Sequence, residues 1–383
     1  MSKNIRTNIK KSSVILKEEG NRPERQIFYR GYAIPFDNYM DAICLSTVWS
    51  VDIDKPFKSA MLMPHDGSNA KQGRTGGFDS ADAVGDLVKT IAGKSTGTEY
   101  ARYWHGYMLW LKPLLLIMDL TAIRITLTII LAILFILLMG SLIKDGYKIE
   151  AAIIAISLIC GEYFYMGTSL QGVSVFLVMM IMSLILWHSK KENTGYIFFI
   201  TGSLIAFVDL LTVPLLGLIL PLTIYQIKEK DTIKTFIKNS FIWILGFGIT
   251  WSAKWILTDL FFKRNIIKTA LFQIIWRTHG YGEINYKTTI ALCFTVMRTF
   301  LVPIIFILLI LLIVYRKRIT KKRIKENVTY LLIAISPFVW YAVLKTHSYY
   351  HYYFTYRNLV AFLIGILLFV KMLTERSKKD AIK

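Results

Sequence analysis

Residues 100–124 read YARYWHGYMLWLKPLLLIMDLTAIR. On one side lies a polar segment, residues 1–99. On the other, apolar runs recur to the C-terminus. The stretch is dense in aromatics, with Tyr100, Tyr103, Trp104, Tyr107 and Trp110 close together and Lys112-Pro113 just after. Trp and Tyr concentrate where hydrocarbon meets water. The stretch therefore reads as a helix lying at the bilayer surface and then entering it. Composition alone fits an ordinary aromatic anchor. The packing of Arg102, Trp104 and His105 into one turn points to function as well.

The rest of the composition agrees with a membrane. Hydrophobic residues make up 54% of the chain and the mean hydropathy is +0.47. Long apolar runs of this kind predict an all-α polytopic membrane protein. The net charge of +21 suggests nucleic acid at first sight. Its position argues otherwise, because much of the excess falls in short loops between apolar runs, where basic residues mark the cytoplasmic side. No nucleic-acid partner is expected. Cys44, Cys160 and Cys293 are scattered, with no CxxC and no metal spacing.

In order along the chain, residues 1–30 are polar and basic and contain no apolar core of a signal peptide. Residues 65–80, HDGSNAKQGRTGGFDS, read as an exposed loop, and Ser80 as the N-cap of a short helix to Ala92, with Asp82 in its first turn. The chain divides into an extracytoplasmic polar segment (1–99), an interfacial aromatic helix (100–123), a transmembrane bundle (124–374) and a cytoplasmic tail (375–383). Nine spans are expected, near 124–143, 150–168, 172–188, 194–210, 211–226, 238–261, 295–315, 328–346 and 355–374, with Asp209 and Pro214 at the turn between the fourth and fifth.

Lys144/Lys148, Lys190/Lys191, the lysines between 228 and 238, RKRITKKRIK (316–325) and the basic tail all fall on one side. That side is read as cytoplasmic in a bacterial plasma membrane. Residues 1–123 then lie outside, yet carry no export signal of their own. We read the chain as a ten-span protein shortened at its N-terminus, or with a late start; an authentic nine-span protein is the alternative.

Ionisable residues within spans usually mark function. Glu162, Asp209, Lys254, Asp259 and Arg298 all fall in the expected outer halves, which suggests a site at the outer face. Three outer segments are chemically equipped. FDNYMDAI (36–43) holds Asp37 and Asp41 at a spacing that puts both carboxylates on one helical face. Such a pair suits a divalent cation or a general base. The second segment is the Arg102/Trp104/His105 turn. The third is KTHSYYHYYFTYRN (345–358), in which His347 and His351 are spaced for zinc but lack an evident third ligand. Its Arg357 and histidines among tyrosines fit a clamp for a lipid-linked phosphate better. WRTHGYGEINY (276–286) adds Arg277, His279 and Glu283. Each of these also has a bland reading as an aromatic belt with snorkelling cations.

Taken together, FDNYMDAI (36–43), YARYWHGYMLWLKPLL (100–115), FVDLLTVPLLGLILPL (207–222) and HYYFTYRNL (351–359) resemble the GT-C superfamily of integral-membrane glycosyltransferases, in particular bacterial members associated with cell-wall polysaccharide. The resemblance implies a GT-C-like bundle. It implies a polyprenyl-phosphate sugar donor, a cell-envelope glycan acceptor, and an acid acting as general base with inversion. By position Asp37 and Asp41 are the candidate acids. Arg102, Trp104, His105, Lys112, His347, His351, Tyr352 and Arg357 are the candidate donor-binding residues, with Glu162, Asp209, Arg277 and His279 in support. A Mg or Mn ion held near Asp37 and Asp41 is a possible cofactor, and no other is implied. The family's first helix is absent here. The alternatives are a flippase or transporter of lipid-linked saccharides, and a non-catalytic membrane subunit of envelope assembly. No phosphate-binding glycine loop is present.

Overall fold

A computed structural model describes residues 1–23, 36–65, 82–94, 97–280 and 282–375. Of the predicted loop at 65–80, His65 belongs to a short strand and the rest, with the Ser80 cap and the basic tail from Arg376, lies outside the described residues. The N-terminal part carries α1 (Lys3–Glu19), α2 (Asn38–Trp49), α3 (Pro56–Leu62), β1 (Pro64–His65), α4 (Ala83–Ile91) and β2 (Thr98–Glu99). The two short strands pair antiparallel, Pro64 opposite Glu99. There follow α5 (Met108–Leu115), α6 (Leu120–Lys144), α7 (Lys148–Cys160), α8 (Val173–His188), α9 (Thr194–Val208), α10 (Pro214–Glu229), α11 (Ile233–Phe262), α12 (Ile266–His279) and α13 (Tyr286–Val314). The chain closes with α14 (Lys321–Glu326), α15 (Val328–Val343), α16 (Lys345–Tyr350), α17 (Tyr352–Thr355) and α18 (Leu359–Thr374).

Every apolar run is helical, and the protein is an almost wholly α-helical membrane protein. Among the described residues four helical stretches are long and apolar enough to cross a membrane: α6, α11, α13 and Tyr352–Thr374. This departs from the expected nine. Helices α7, α8, α9, α10 and α15 are 13 to 16 residues long. At 1.5 Å per residue such helices fall short of a hydrocarbon core of about 30 Å. The long helices turn large apolar side chains outward, among them Ile129, Ile133 and Ile136 on α6 and Phe306, Ile310 and Ile313 on α13. In water such a surface would be a liability; against lipid it is the expected one.

The described residues of the N-terminal segment form a mostly helical layer. Ile5, Ile9 and Leu16 share one face of α1 and are buried, each contributing about 1.5–3 kcal/mol by leaving water. Asn8 Nδ2 donates to the Leu115 carbonyl at 3.0 Å, and Ser12 Oγ accepts from Leu120 N–H at 2.9 Å. A side chain of α1 thus satisfies a free amide at the start of the membrane helix α6. Asp82 is the N-cap of α4, accepting from Gly85 N–H at 2.8 Å.

The expected interfacial helix at 100–123 is also corrected. Residues 101–107 are turns; α5 follows, and Asp119 caps α6 separately by accepting from Ala122 N–H at 3.1 Å. The turn is pinned to the bundle. Trp104 Nε1 donates to Thr250 O at 2.7 Å, Trp255 Nε1 donates to Arg102 O at 3.0 Å, and Gly106 N–H donates to Phe207 O at 2.8 Å. A Cβ on Gly106 would sit 2.6 Å from that Phe207 carbonyl, so only glycine allows the approach. Helices α9 and α11 pack just as closely, with Gly202 against the Trp243 carbonyl and Gly246 against that of Phe199.

The bundle has two chemically distinct ends. At one, Lys191 pairs with Asp231 at 2.7 Å, Lys371 with Glu150 at 2.8 Å, and Arg318 donates to Thr374 O at 2.7 Å. At the other, Leu170 N–H donates to Asp41 and His347 Nε2 to Leu211 O, both at 2.8 Å. All the sequence-predicted site segments gather at this second end.

Candidate functional site

The two acids part company. Asp41 is 1% exposed. One carboxylate oxygen accepts from Leu170 N–H at 2.8 Å and the other meets Arg124 at 3.0 Å. Arg124 is in turn held by Glu19 at 2.9 Å, the Asn38 side-chain carbonyl at 2.8 Å and Thr168 O at 3.0 Å. This is a closed network that ties α1, α2 and α6 to the 168–170 turn. Both oxygens of Asp41 are engaged within the protein. Among the described residues no three His, Cys, Asp or Glu side chains gather as metal ligands.

Asp37 is different. It caps α2, accepting from Met40 N–H at 3.3 Å, and is only half-buried. Burial, with Asp41 nearby, pushes its carboxyl up to about 6, against the pull of Arg22 and Arg357. A carboxyl near neutrality suits a general base. Arg22 lies over the rings of Tyr39 and Tyr353, at 5.4 and 5.6 Å. It was not singled out in the sequence, where it is one basic residue among many.

The 345–358 segment is mostly structural. Arg357 is 2% exposed and donates to Gly161 O at 3.2 Å, Tyr353 O at 3.2 Å and Glu162 at 3.4 Å. Tyr356 OH also donates to Glu162, at 2.8 Å. The Arg357 guanidinium is therefore committed to a buried ion pair rather than to a phosphate. His347 is buried and donates from Nε2 to Leu211 O, and among the described residues no third His, Cys, Asp or Glu joins His347 and His351 as a metal-binding group. His351 is half-buried, stacks on Phe354 at 5.1 Å, and is held neutral by burial, which pushes it down to about 3. Tyr352 is half-buried beside it. Asp209 closes the α9–α10 turn, accepting from Thr212 and from Gln171.

The aromatic turn divides likewise. His105 is buried, donates from Nε2 to Tyr100 O and accepts at Nδ1 from Tyr107 OH, both at 2.9 Å. Burial pushes it down to about 3, so it braces the turn. Among the described residues at this end, His105 (φ 54°), Glu162 (φ 60°) and Leu211 (φ 70°) are non-glycine residues with left-handed backbone. Each costs of order 1–3 kcal/mol and persists because its surroundings fix it. Lys112 is half-buried on α5 and enters no ion pair among the described residues. His279 is exposed at the end of α12.

Arg102 and Arg277 remain. They flank a groove of about 360 Å³ between α11, α12 and α15, lined by Trp243, Trp251, Trp255 and Trp340. Arg277 donates to Tyr103 OH at 2.8 Å, Tyr103 stacks on Trp251 at 6.0 Å, and Arg102 lies over Tyr100 at 5.5 Å. Tyr100 lies in the field of both arginines. Among the described residues the Nε atoms of Arg102 and Arg277 and the indole N–H groups of Trp243, Trp251 and Trp340 are buried without partners. Each such donor costs about 1–3 kcal/mol unless an acceptor arrives. The surface that lines the groove is almost wholly apolar, which suits the apolar body of a ligand, with the two arginines beside it. The groove was legible as a stripe: Trp243, Phe247, Trp251 and Trp255 recur every four residues, one face of α11. No protein family, curated protein or solved structure matches this chain.

Proposed function

We propose that the chain is a GT-C-like membrane glycosyltransferase, moving a sugar from a polyprenyl-phosphate donor to a cell-envelope glycan acceptor. The observation that carries this reading is the apolar, tryptophan-lined groove flanked by two arginines, in a chain that also holds a half-buried acid raised towards neutrality beside Arg22. The polyprenyl chain lies in the groove and its phosphate meets Arg102 and Arg277. Asp37 takes the proton of an acceptor hydroxyl. The hydroxyl oxygen attacks the anomeric carbon from the face opposite the phosphate. The carbon–oxygen bond to phosphate breaks, and its electron pair leaves on the phosphate oxygen. The arginines stabilise that charge as it grows. The anomeric centre is inverted.

In this reading the basic end is cytoplasmic and the short helices complete a nine-span bundle together with their adjoining turns. The decisive variant is Asp37→Asn in proteoliposomes supplied with polyprenyl-phosphate sugar. The expected result is loss of transfer with donor binding kept. Unchanged transfer removes Asp37 from the chemistry. Movement of donor across the vesicle without transfer, equal in both proteins, favours a flippase. Exposed Asp54→Cys and Thr320→Cys report the sides: an impermeant maleimide on intact cells is expected to label the first alone.

A further inference from the structure

Helix α12 is not needed as a span, yet it presents an apolar face that no described residue covers. Ile267, Leu271, Ile274 and Ile275 follow the i, i+4, i+7, i+8 pattern of a single stripe and are 39%, 52%, 39% and 59% exposed. Beside it Lys268 and His279 are exposed next to Phe272, which is 63% exposed, and Thr269 is exposed further round the helix. The third sector, with Ala270, Gln273 and Arg277, walls the tryptophan groove. One helix thus has a groove face and a broad apolar face edged by Lys268 and His279.

The helix is also tied to membrane surface at both ends. It follows α11 after residues 263–265, and α11 finishes with Leu260 and Phe261 facing outward, 67% and 57% exposed. It precedes α13, another helix long enough to span. Lys263 and Arg264 are exposed at the junction, where lipid headgroups would meet them. Arg264 also pairs with Glu99 at 2.8 Å, fixing the junction to the N-terminal layer.

We propose that α12 lies in the membrane surface, with Ile267, Leu271, Phe272 and Ile275 sunk among the acyl chains of one leaflet, the Lys268 ammonium reaching the headgroups and Thr269 on the side away from the chains. A lipid surface is the partner. Interfacial helices carry this division of apolar and cationic faces. The placement does not depend on glycosyl transfer. It does give the groove wall a fixed depth, with Arg277 near the headgroup plane.

Spin labels test this on the full chain in liposomes. The three native cysteines are buried, so the unsubstituted protein is the labelling blank. Single labels go at Leu271→Cys, Ile275→Cys and Thr269→Cys, all surface positions that leave the fold intact. At the first two, collisions with oxygen are expected to exceed those with a water-soluble nickel chelate several-fold. At Thr269→Cys the order reverses. A chelate excess at all three would mean that α12 faces water. Weak collisions with both reagents at Leu271→Cys and Ile275→Cys would mean that protein, a second copy or another chain, covers the stripe. Either result overturns the proposal.

Discussion

Exchanging each acid of the FDNYMDAI segment for its amide separates architecture from chemistry. Asp41→Asn puts an NH₂ group where one carboxylate oxygen now sits. If the remaining oxygen keeps Leu170 N–H, the new NH₂ faces the Arg124 guanidinium. The buried arginine then loses a charge partner at 3.0 Å and retains Glu19 alone. Breaking a buried pair from one side costs about 3–5 kcal/mol, and at roughly 2 °C per kcal/mol for a large domain the melting point falls by about 5–10 °C. Asp37→Asn keeps a competent N-cap at a site bonded at 3.3 Å, so near pH 4, where the raised carboxyl makes no difference, its melting point should stay within about 2 °C. The sign with pH is also fixed. A carboxyl raised when folded binds its proton more tightly there than in the unfolded chain. The folded state therefore loses stability as pH rises from about 4 towards 6. Asp37→Asn removes that loss, so the variant gains on the wild type above pH 6. Thermal unfolding in detergent, followed by a thiol dye reacting with the buried cysteines, reads both. Equal, small shifts for the two variants would refute the structural role of Asp41. A large drop for Asp37→Asn alone would refute the division altogether.

Four further outcomes follow. The rate of transfer should rise with pH along a limb near 6, the value to which burial pushes Asp37, because the protonated acid cannot accept a proton; a flat profile from pH 5 to 8 would speak against Asp37 as the base. Arg357→Met should lower stability by about 3–5 kcal/mol by stranding Glu162, and adding Glu162→Gln should restore part of it, as a double-mutant cycle of melting points would register. Gly246→Ala drives a methyl into the Phe199 carbonyl and should separate α9 from α11, lowering yield and melting point far more than Gly248→Ala, whose site is open. His105→Ala should lower melting point and activity together without shifting the pH limb, since that imidazole stays neutral down to about 3.

The apolar runs revealed the helices because hydrophobic stretches of this length have few other fates. They overstated the helix lengths, because a run measured in text includes turn residues such as 209–213 that do not extend a helix. Helix α1 went unread: its buried Ile5, Ile9 and Leu16 are diluted by lysines that face water. The site segments were found by residue type, and the fold does collect them at one end. Which of their charges are free could not be read locally. Asp41 is silenced by an arginine 83 residues away, and Arg357 by a glutamate 195 residues away. Long-range pairing of that sort leaves no spacing signal. The tryptophan stripe of α11 did leave one, although an aromatic row at helical spacing is more often plain core.

The central claim is that Arg102 and Arg277, at the mouth of the tryptophan groove, hold a lipid phosphate. The direct measurement titrates the detergent-solubilised protein with a long-chain polyprenyl phosphate and with the matching uncharged polyprenol, following tryptophan fluorescence. The account predicts that the phosphate binds at least tenfold more tightly than the alcohol. It also predicts that Arg102→Met and Arg277→Met, each still folded by its melting curve, lose about 1.5–3 kcal/mol of that preference, roughly tenfold or more apiece. Equal affinity for phosphate and alcohol, or a preference untouched by both substitutions, would contradict it.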